Sequence, residues 1–313
     1  AVPLNGKFKV SDKITLEFVN ITHSIPHSSM IAVHTPYGIM LYCNDYKFDR
    51  TPTLGKKPNF KRLEELGNIG VVGAIVECLY ADDHRKMPSE AVAKQMLEEV
   101  MLSGVGEGKA MIVTTFSSQI ARLKSIVEMG KKLNRQIVFL GRSLGKYVSA
   151  AERLEIVDFS NDVKMFRHRD KIEKMLRKIE KQRDKYLIVC TGHQGEPRAI
   201  LSRLMRKELD FNFVKEDVVI FSCSVIPVEL NKGNRDKLEK GLRKFGVRIF
   251  RDVHVSGHGA LEDHRDLLKL IKPKYLIPSH AGEEKGKHLI ALGKQCDVKF
   301  PTLMLDGGRI ILR

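Results

Sequence analysis

Residues 108–141 of this chain are GKAMIVTTFSSQIARLKSIVEMGKKLNRQIVFLG, and they decide the fold class. The short apolar run MIVTTF is typical of a buried strand, and SSQIARLKSIVEMGKKL carries apolar residues at helical spacing. A second apolar run, QIVFL, follows directly. A strand, a helix and another strand in this order predict a parallel α/β sheet covered by helices on both faces.

The same alternation continues toward the C-terminus. Strand-like runs KYLIVC, DVVIF and VRIF are separated by predicted helices that begin near Pro197 and Asn234. The charged region before them, up to about Lys185, is predicted to be helical. Its interpretation as a solvated amphipathic helix rests on one apolar stripe: Ile172, Met175, Leu176 and Ile179.

The N-terminal part, up to about Asp82, has a different pattern of secondary structure from the residues that follow it. It alternates strands and turns, like one layer of a sheet-rich sandwich, and the predicted strands are 14–21, 29–34, 38–43 and 69–78. The C-terminal part predicts a helix over 260–271, a strand over 274–278 and a helix over 284–293. A terminal hairpin is predicted around Asp306-Gly307-Gly308.

Composition restricts the class of protein. The chain has 313 residues, 42% of them hydrophobic and 29% charged, as expected of a folded globular protein of about two domains. Its net charge of +16 favours a polyanionic partner, nucleic acid first, over a merely lysine-rich surface. No apolar run approaches ~20 residues and no secretory signal is visible, so we expect no membrane contact. Five widely spaced cysteines predict reduced thiols and a cytoplasmic protein.

Single histidines and carboxylates follow the apolar strands of the two flanking parts. They are His23, Asp45, Glu77, His258 and His280. Side chains at strand ends meet at one edge of a sheet, where binding sites are usually built. Two imidazoles and a carboxylate suit a zinc-type ion. Each residue alone has an ordinary alternative, such as a capping histidine beside the Ser24-Ile25-Pro26 turn or an exposed carboxylate at a strand end.

Several polar turns are candidates for phosphate binding. TGHQGEP at 191–197 precedes a helix, where backbone N–H groups face anions, although a plain strand-to-helix loop has the same composition. HVSGHG at 254–259 places two histidines four residues apart. This spacing also suits a helical metal pair, but Val255 and the two glycines favour a strand followed by a turn.

These phrases, in this order, resemble the β-CASP branch of the metallo-β-lactamase fold, and within it the ribonuclease J family. The phrases are THSIP, NDYKFD, IVECLY, GRS, TGHQGEP, HVSGHG and PSHAGE. The resemblance implies zinc, two ions in the complete enzyme, with His23, Asp45 and His280 as ligands. It also implies that His258 protonates the leaving oxygen and that Glu77 orients His258. Asn44 and Ala281 depart from the usual pattern.

The resemblance further implies a substrate and an activity. RNA or its phosphates would contact His254, Ser256, Ser222, Ser224, His193 and Arg142. The implied activity is zinc-dependent hydrolysis of RNA, 5′ to 3′, by a cytoplasmic enzyme that resembles the shorter archaeal form and is a homodimer when complete. The alternatives are a non-catalytic RNA-binding relative and a β-CASP endonuclease of the RNA 3′-end-processing type.

One signature of the family is missing. The string H-x-H-x-D-H, which supplies four ligands, does not occur in the sequence. We therefore expect an incomplete N-terminal portion, little zinc retained by this chain alone, and poor catalysis by it. The predicted fold is α/β, a partial metallo-β-lactamase αββα sandwich with an inserted Rossmann-like β-CASP domain. Its predicted bounds are 1–82 and 252–313 for the sandwich and 83–251 for the insertion.

Overall fold

A computed structural model describes residues 2–312 of the chain. Two compact units are present. The first contains the residues up to Ser89 together with those from Ser256 onward, and the second is Glu90–Val255. The second unit therefore starts and ends a few residues later than the predicted insertion at 83–251.

The N-terminal segment of the first unit is mainly a meander of strands. Its elements are β1 (Lys7–Lys9), β2 (Thr15–Asn20), β3 (Ser29–Thr35), β4 (Gly38–Tyr42), α1 (Phe60–Ile69) and β5 (Val71–Glu77). The predicted hairpin is present, since β3 and β4 pair in antiparallel fashion. Asn59 begins α1 by accepting a hydrogen bond from the Arg62 backbone N–H at 3.1 Å. The helix then returns the chain so that β5 lies parallel to β4.

The second unit alternates helices and strands, as residues 108–141 predict. Its elements are α2 (Glu90–Met101), β6 (Met111–Thr114), α3 (Ile120–Lys132), β7 (Gln136–Leu140), α4 (Arg142–Arg153), β8 (Val163–Phe166), α5 (Arg169–Lys181), β9 (Tyr186–Cys190), α6 (Ile200–Met205), β10 (Val218–Phe221), α7 (Glu229–Lys244) and β11 (Arg248–Phe250). The strands form one parallel sheet in the order β11-β10-β6-β9-β7-β8. Every residue of β6, β9 and β10 is buried, because helices cover both faces.

The C-terminal segment completes the sheet of the first unit. It contains α8 (Leu261–Ile271), β12 (Tyr275–Ser279), α9 (Glu283–Gln295) and β13 (Phe300–Pro301). Strand β12 lies parallel to β5, which gives the sheet order β1-β2-β3-β4-β5-β12-β13. The core of this unit lies on one sheet face, and the apolar residues that alternate toward the other face are only half-buried: Phe18, Ile31, Val33 and Met40.

Two predictions about elements are wrong. The predicted helical region before Lys185 is interrupted by β8, a four-residue edge strand held by its parallel pairing with β7. The predicted terminal hairpin is absent from the described residues. Instead, Phe300 and Pro301 pair in parallel with β12, and no strand follows before residue 312. Within residues 2–312, no helix combines the length and apolar character that crossing a bilayer requires.

Candidate active site

Three neighbouring strands of the first unit end at the candidate site. Glu77 is the last residue of β5 and pairs in register with Ser279 of β12, so His280 follows beside it. Asp45 comes three residues after β4, whose continuation is held by the Cys43 N–H donating to the Ile75 carbonyl at 2.9 Å. Parallel pairing therefore brings Asp45, Glu77 and His280 to one edge of the sheet, as the strand-end pattern predicts.

Two loops complete the site. Thr22 and Lys47 form an isolated bridge, which ties the His23 turn to the loop of Asp45. The loop before α8 is tied to the same place, because the His23 Nδ1 lies 2.8 Å from the Gly257 carbonyl oxygen. A Cβ atom on Gly257 would lie only 2.1 Å from the Ser24 hydroxyl oxygen, so this close approach requires glycine.

Four of the predicted residues converge here. His23, Asp45 and His258 each offer one possible ligand atom, and these atoms lie within 4.8 Å of one another. The His280 Nδ1 lies 3.4 Å from the Asp45 Oδ1, and the His280 ring stacks on that of His258 with centroids 5.2 Å apart. The predicted ligands His23, Asp45 and His280 are thus neighbours. His258, predicted only as a proton donor, belongs to the group of three residues that could hold a metal ion, whereas the predicted ligand His280 lies beside that group.

The donor set fits a zinc-type ion. It combines imidazole nitrogens with a carboxylate oxygen, the ligands that zinc accepts in tetrahedral sites. Burial lowers the pKa of His23, so this imidazole is neutral near pH 7 and its lone pair is available to a cation. His280 has a φ of +64°, a left-handed conformation that turns the chain sharply between β12 and α9.

Glu77 is a buried carboxylate that accepts two backbone hydrogen bonds and lies next to His258. Its two oxygens accept the Gly259 N–H at 3.1 Å and the Leu79 N–H at 3.0 Å, and Oε1 lies 3.5 Å from the His258 Nδ1. Burial raises the pKa of Glu77, but the nearby imidazole of His258 lowers it more, so the net shift is downward. An ionised Glu77 thus faces the Nδ1 of His258. The Nε2 of the same ring is then the nitrogen that can exchange a proton with another group.

His264, a further histidine near Glu77, was not predicted from the sequence. The Nδ1 of His264 lies 2.7 Å from the Tyr46 hydroxyl oxygen, and both side chains are fully buried. The other ring nitrogen of His264 has no hydrogen-bond partner among residues 2–312. The two residues are 218 positions apart in the chain, so neither local pattern carries a signal of the pair.

The predicted phosphate-binding residues occupy different places. In the second unit, Arg142 and His193 line one cavity of about 660 Å³. Ser222 of the same unit is fully buried, and its hydroxyl accepts a hydrogen bond from Arg122 and donates one to the Val253 carbonyl. To contact RNA, the Ser222 hydroxyl would have to break both of these hydrogen bonds. Its position therefore favours a role in holding the second unit together.

The remaining predicted phosphate contacts are half-buried. The Ser224 carbonyl accepts a hydrogen bond from the Gln194 amide at 2.9 Å. His254 Nδ1 lies 3.3 Å from the Arg122 guanidinium in the second unit. In the first unit, the Ser256 hydroxyl accepts the His258 N–H at 3.1 Å and so shapes the turn that carries His258.

Comparison with known proteins relates the chain to one family. Residues 108–242 match the family model described as "Ribonuclease J, beta-CASP domain". Ribonuclease J of Pyrococcus abyssi is 42% identical over 287 residues, which are 92% of this chain and 63% of that protein. Ribonuclease J of Methanocaldococcus jannaschii is also 42% identical, over 87% of this chain and 61% of its own. The chain is similar to ribonuclease J over most of its length.

The ribonuclease J relationship supports the predicted fold, a metallo-β-lactamase and β-CASP type of α/β protein. A solved structure of a protein of unknown function from Enterococcus faecalis has the same fold, with a TM-score of 0.62 over 97% of this chain and 65% of its own at 15% identity. The chain spans about three fifths of the length of the two archaeal relatives. The β-CASP match lies entirely within the second unit.

Proposed function

We propose that this chain supplies part of a metal-dependent centre that hydrolyses phosphodiester bonds of RNA. The observation that carries this proposal is the convergence of His23, Asp45 and His258 within 4.8 Å, beside His280 and a buried Glu77. Three imidazoles and a carboxylate this close together offer a cation several nitrogen and oxygen ligands at once. The relationship to ribonuclease J names the substrate class.

His23, Asp45 and His280 would hold zinc, and Asp45 is suited to bridge two ions because it has two oxygens. A bound zinc ion would supply an activated water for attack on phosphorus. His258 would donate a proton to the leaving oxygen from Nε2, and Glu77 would keep the ring in the required orientation through Nδ1. With His23, Asp45 and His280 as its proposed ligands, we expect this chain alone to retain little zinc after dialysis.

RNA as the substrate and the 5′ to 3′ direction are parts of the same proposal. The net charge of +16 gives any RNA a strong, salt-sensitive attraction to the chain. His254 and Ser256 lie on the segment that leads into the His258 turn, which suits them to hold the phosphate next to the scissile bond or at a 5′ end. A homodimer and a cytoplasmic location remain predictions of the family resemblance.

The test uses a 5′-monophosphorylated RNA oligonucleotide with a fluorophore at its 3′ end. Hydrolysis should require zinc and stop with a chelator, and His23→Ala should reduce zinc content and hydrolysis together. We expect a loss of more than about 100-fold, the upper end of the losses caused by removing partners of metal ligands. His288→Ala is the matched control, because His288 is exposed on α9 of the same unit.

The lengths of the RNA products distinguish exonuclease from endonuclease activity. Shortening from the 5′ end would support exonuclease activity, whereas internal fragments would support the endonuclease alternative. RNA that binds but stays intact with zinc present, in the chain and in any longer form of the protein, would overturn the nuclease proposal in favour of a non-catalytic RNA-binding relative. Equal zinc loss in His288→Ala would contradict the assignment of His23 as a ligand.

A further inference from the structure

Arg122 is a fully buried cation in the interior of the second unit. It lies in the first turn of α3. Its Nε and Nη2 atoms donate to the two carboxylate oxygens of Glu90 at 2.6 and 2.9 Å. Such a two-point contact between a planar guanidinium group and a carboxylate is strong and sets the orientation of both groups. The third nitrogen, Nη1, is therefore held in one direction.

The Nη1 of Arg122 lies among hydrogen-bond acceptors. It donates to the Ser222 carbonyl at 3.0 Å and to the Ser222 hydroxyl at 2.8 Å, and the Val253 carbonyl lies 3.3 Å away. The Ser222 hydroxyl gives its own hydrogen to the Val253 carbonyl at 2.8 Å, so its lone pairs are left to accept from Arg122. Thr115 donates to the Ser222 carbonyl at 2.8 Å. The loops that follow β6, β10 and β11 are thus tied together around Arg122.

The next residue along the chain brings an imidazole to the same nitrogen. The His254 Nδ1 lies 3.3 Å from the Arg122 Nη1. An arginine N–H can only donate a hydrogen bond, and the guanidinium group stays protonated in proteins. The His254 Nδ1 must therefore accept. It can do so only when it carries a lone pair, which places the ring proton on Nε2.

Neither a proton nor a metal ion fits on this Nδ1. Either would bring a positive charge against a guanidinium nitrogen 3.3 Å away, and like charges repel strongly in a protein interior. A metal ion on Nε2 would move the ring proton to Nδ1, with the same result. The contact therefore opposes the helical metal pair that the spacing of His254 and His258 left open.

We infer that Arg122 is a positioning residue that holds His254 with its ring proton on Nε2. His254 is then a hydrogen-bond donor at that atom, and neither a base nor a metal ligand. The inference deepens the proposed function and rests on it for the partner of this donor, an oxygen of the RNA backbone. Glu90 belongs to the same arrangement because it orients Arg122. The second unit is Glu90–Val255, so the network joins the start of that unit to its end.

Nitrogen-15 NMR of the whole chain tests the position of the ring proton. The chain is labelled at histidine and kept in chelator at about pH 8, where an ordinary histidine is neutral. A ring nitrogen with a proton and one with a lone pair resonate far apart, so the spectrum reports the tautomer of each ring. The signals of His254 are those that disappear in His254→Gln. We expect a single tautomer, with the lone pair on Nδ1 and the proton on Nε2.

The double variant Arg122→Met with Glu90→Gln removes the donor without leaving a buried charge. Its His254 signals should shift toward the average of the two tautomers. The matched control is Arg183→Met with Asp217→Asn, which removes a largely buried pair 2.7 Å apart at the amino end of β10. The control should lose stability but keep the His254 signals in place. Circular dichroism shows whether each variant is folded.

RNA affinity connects the tautomer to the proposed function. A short 5′-phosphorylated RNA is titrated in chelator at constant salt, because phosphate contacts depend on salt. His254→Gln and the double variant should each weaken binding about tenfold, as loss of one hydrogen bond to a charged group does. Combining them should weaken binding no further, because both act through the same imidazole. Additive losses would contradict the positioning role.

Two results of the NMR experiment would overturn the inference. One is a His254 proton on Nδ1 in the unchanged chain, and the other is a shift in the control as large as that in the double variant. If the double variant does not fold, the spectrum of the unchanged chain decides alone. The spectra need neither zinc nor RNA, so a chain that does not cleave RNA would remove the proposed nuclease function and leave the His254 tautomer standing.

Discussion

At the scale of single residues, the candidate site depends on how Glu77 and His258 divide their roles. Glu77 is 1% exposed and receives two backbone N–H groups, so it cannot reach a substrate without leaving them. His258 is more exposed and stacks on His280. This geometry supports the proposal that Glu77 positions His258 and that His258 is the group that meets the reacting atoms.

We predict that His258→Ala lowers RNA turnover by about 10²–10⁴-fold, the usual contribution of a proton donor, while zinc content stays nearly unchanged. Glu77→Gln should give a smaller loss in turnover, because the amide still fills the space but no longer holds His258 by charge. Elemental analysis and single-turnover rates on the same samples check both statements. If His258→Ala loses zinc as completely as His23→Ala, His258 is a metal ligand, which its place in the cluster also allows.

The convergence of the strand-end residues could be predicted from the sequence. The contacts that were not predicted depend on packing between segments that are far apart in the chain. His23, Asp45, Glu77, His258 and His280 each follow a strand or stand in a turn, and parallel pairing of β4, β5 and β12 brings the strand ends together. His264 and Tyr46 lie inside the core, where their contact depends on packing between distant segments. Ser222 was predicted to contact RNA, whereas its buried hydroxyl accepts a hydrogen bond from Arg122 and donates one to the Val253 carbonyl.

At the scale of elements, Arg122 joins several parts of the second unit. It lies on α3, is fully buried, and donates to the Glu90 carboxylate of α2 at 2.6 and 2.9 Å. The same guanidinium donates to Ser222 beyond β10 and to the Val253 carbonyl, beside His254. Helical periodicity alone gives no reason to place an arginine in the core, so this connection was not predicted.

We predict that Arg122→Met lowers the free energy of unfolding of the chain by about 3–5 kcal/mol, because it leaves Glu90 charged and buried. The double variant Arg122→Met with Glu90→Gln should lose less than the sum of the two single losses. Urea denaturation followed by circular dichroism measures all three. Arg177→Met is the control and should cost less than about 1 kcal/mol, because its partner Asp210 is exposed. Additive losses would mean that Arg122 acts through packing and not through its charge.

Elements were predicted well where periodicity is strong and poorly where tertiary pairing decides. The helices over 260–271 and 284–293 are present as α8 and α9, displaced by a residue or two at their ends. Strand β8 contains only Val163–Phe166 and exists because β7 offers it a free edge. Helix α4, which begins directly after Gly141, lies within the region predicted to be helical up to about Lys185, but the break between α4 and α5 at β8 was not predicted.

At the scale of the whole molecule, each unit contains a buried histidine that the fold keeps neutral. Burial lowers the pKa of His264 in the first unit, and burial lowers the pKa of His193 in the second unit to about 4. In the unfolded chain, both groups return to a value near 6.5. Between these values the unfolded chain binds more protons than the folded chain, so acid favours unfolding.

We predict that the free energy of unfolding is nearly constant above pH 7 and falls as the pH drops from about 6.5 toward 4. Full titration of His193 accounts for at most about 3 kcal/mol, since one pKa unit corresponds to 1.36 kcal/mol. Lowered pKa values of Glu17 and Glu77 extend the loss below pH 4.5 with the same sign, because these carboxylates stabilise the fold only while ionised.

Urea denaturation at half-unit pH steps measures the free energy of unfolding as a function of pH. The His193→Gln variant shows how much of the loss in acid comes from His193. This variant should lose part of the slope between pH 6.5 and 4, whereas His168→Gln, at an exposed position, should keep all of it. A slope that His193→Gln leaves unchanged would place the titrating group in the first unit, with His264 as the strongest candidate.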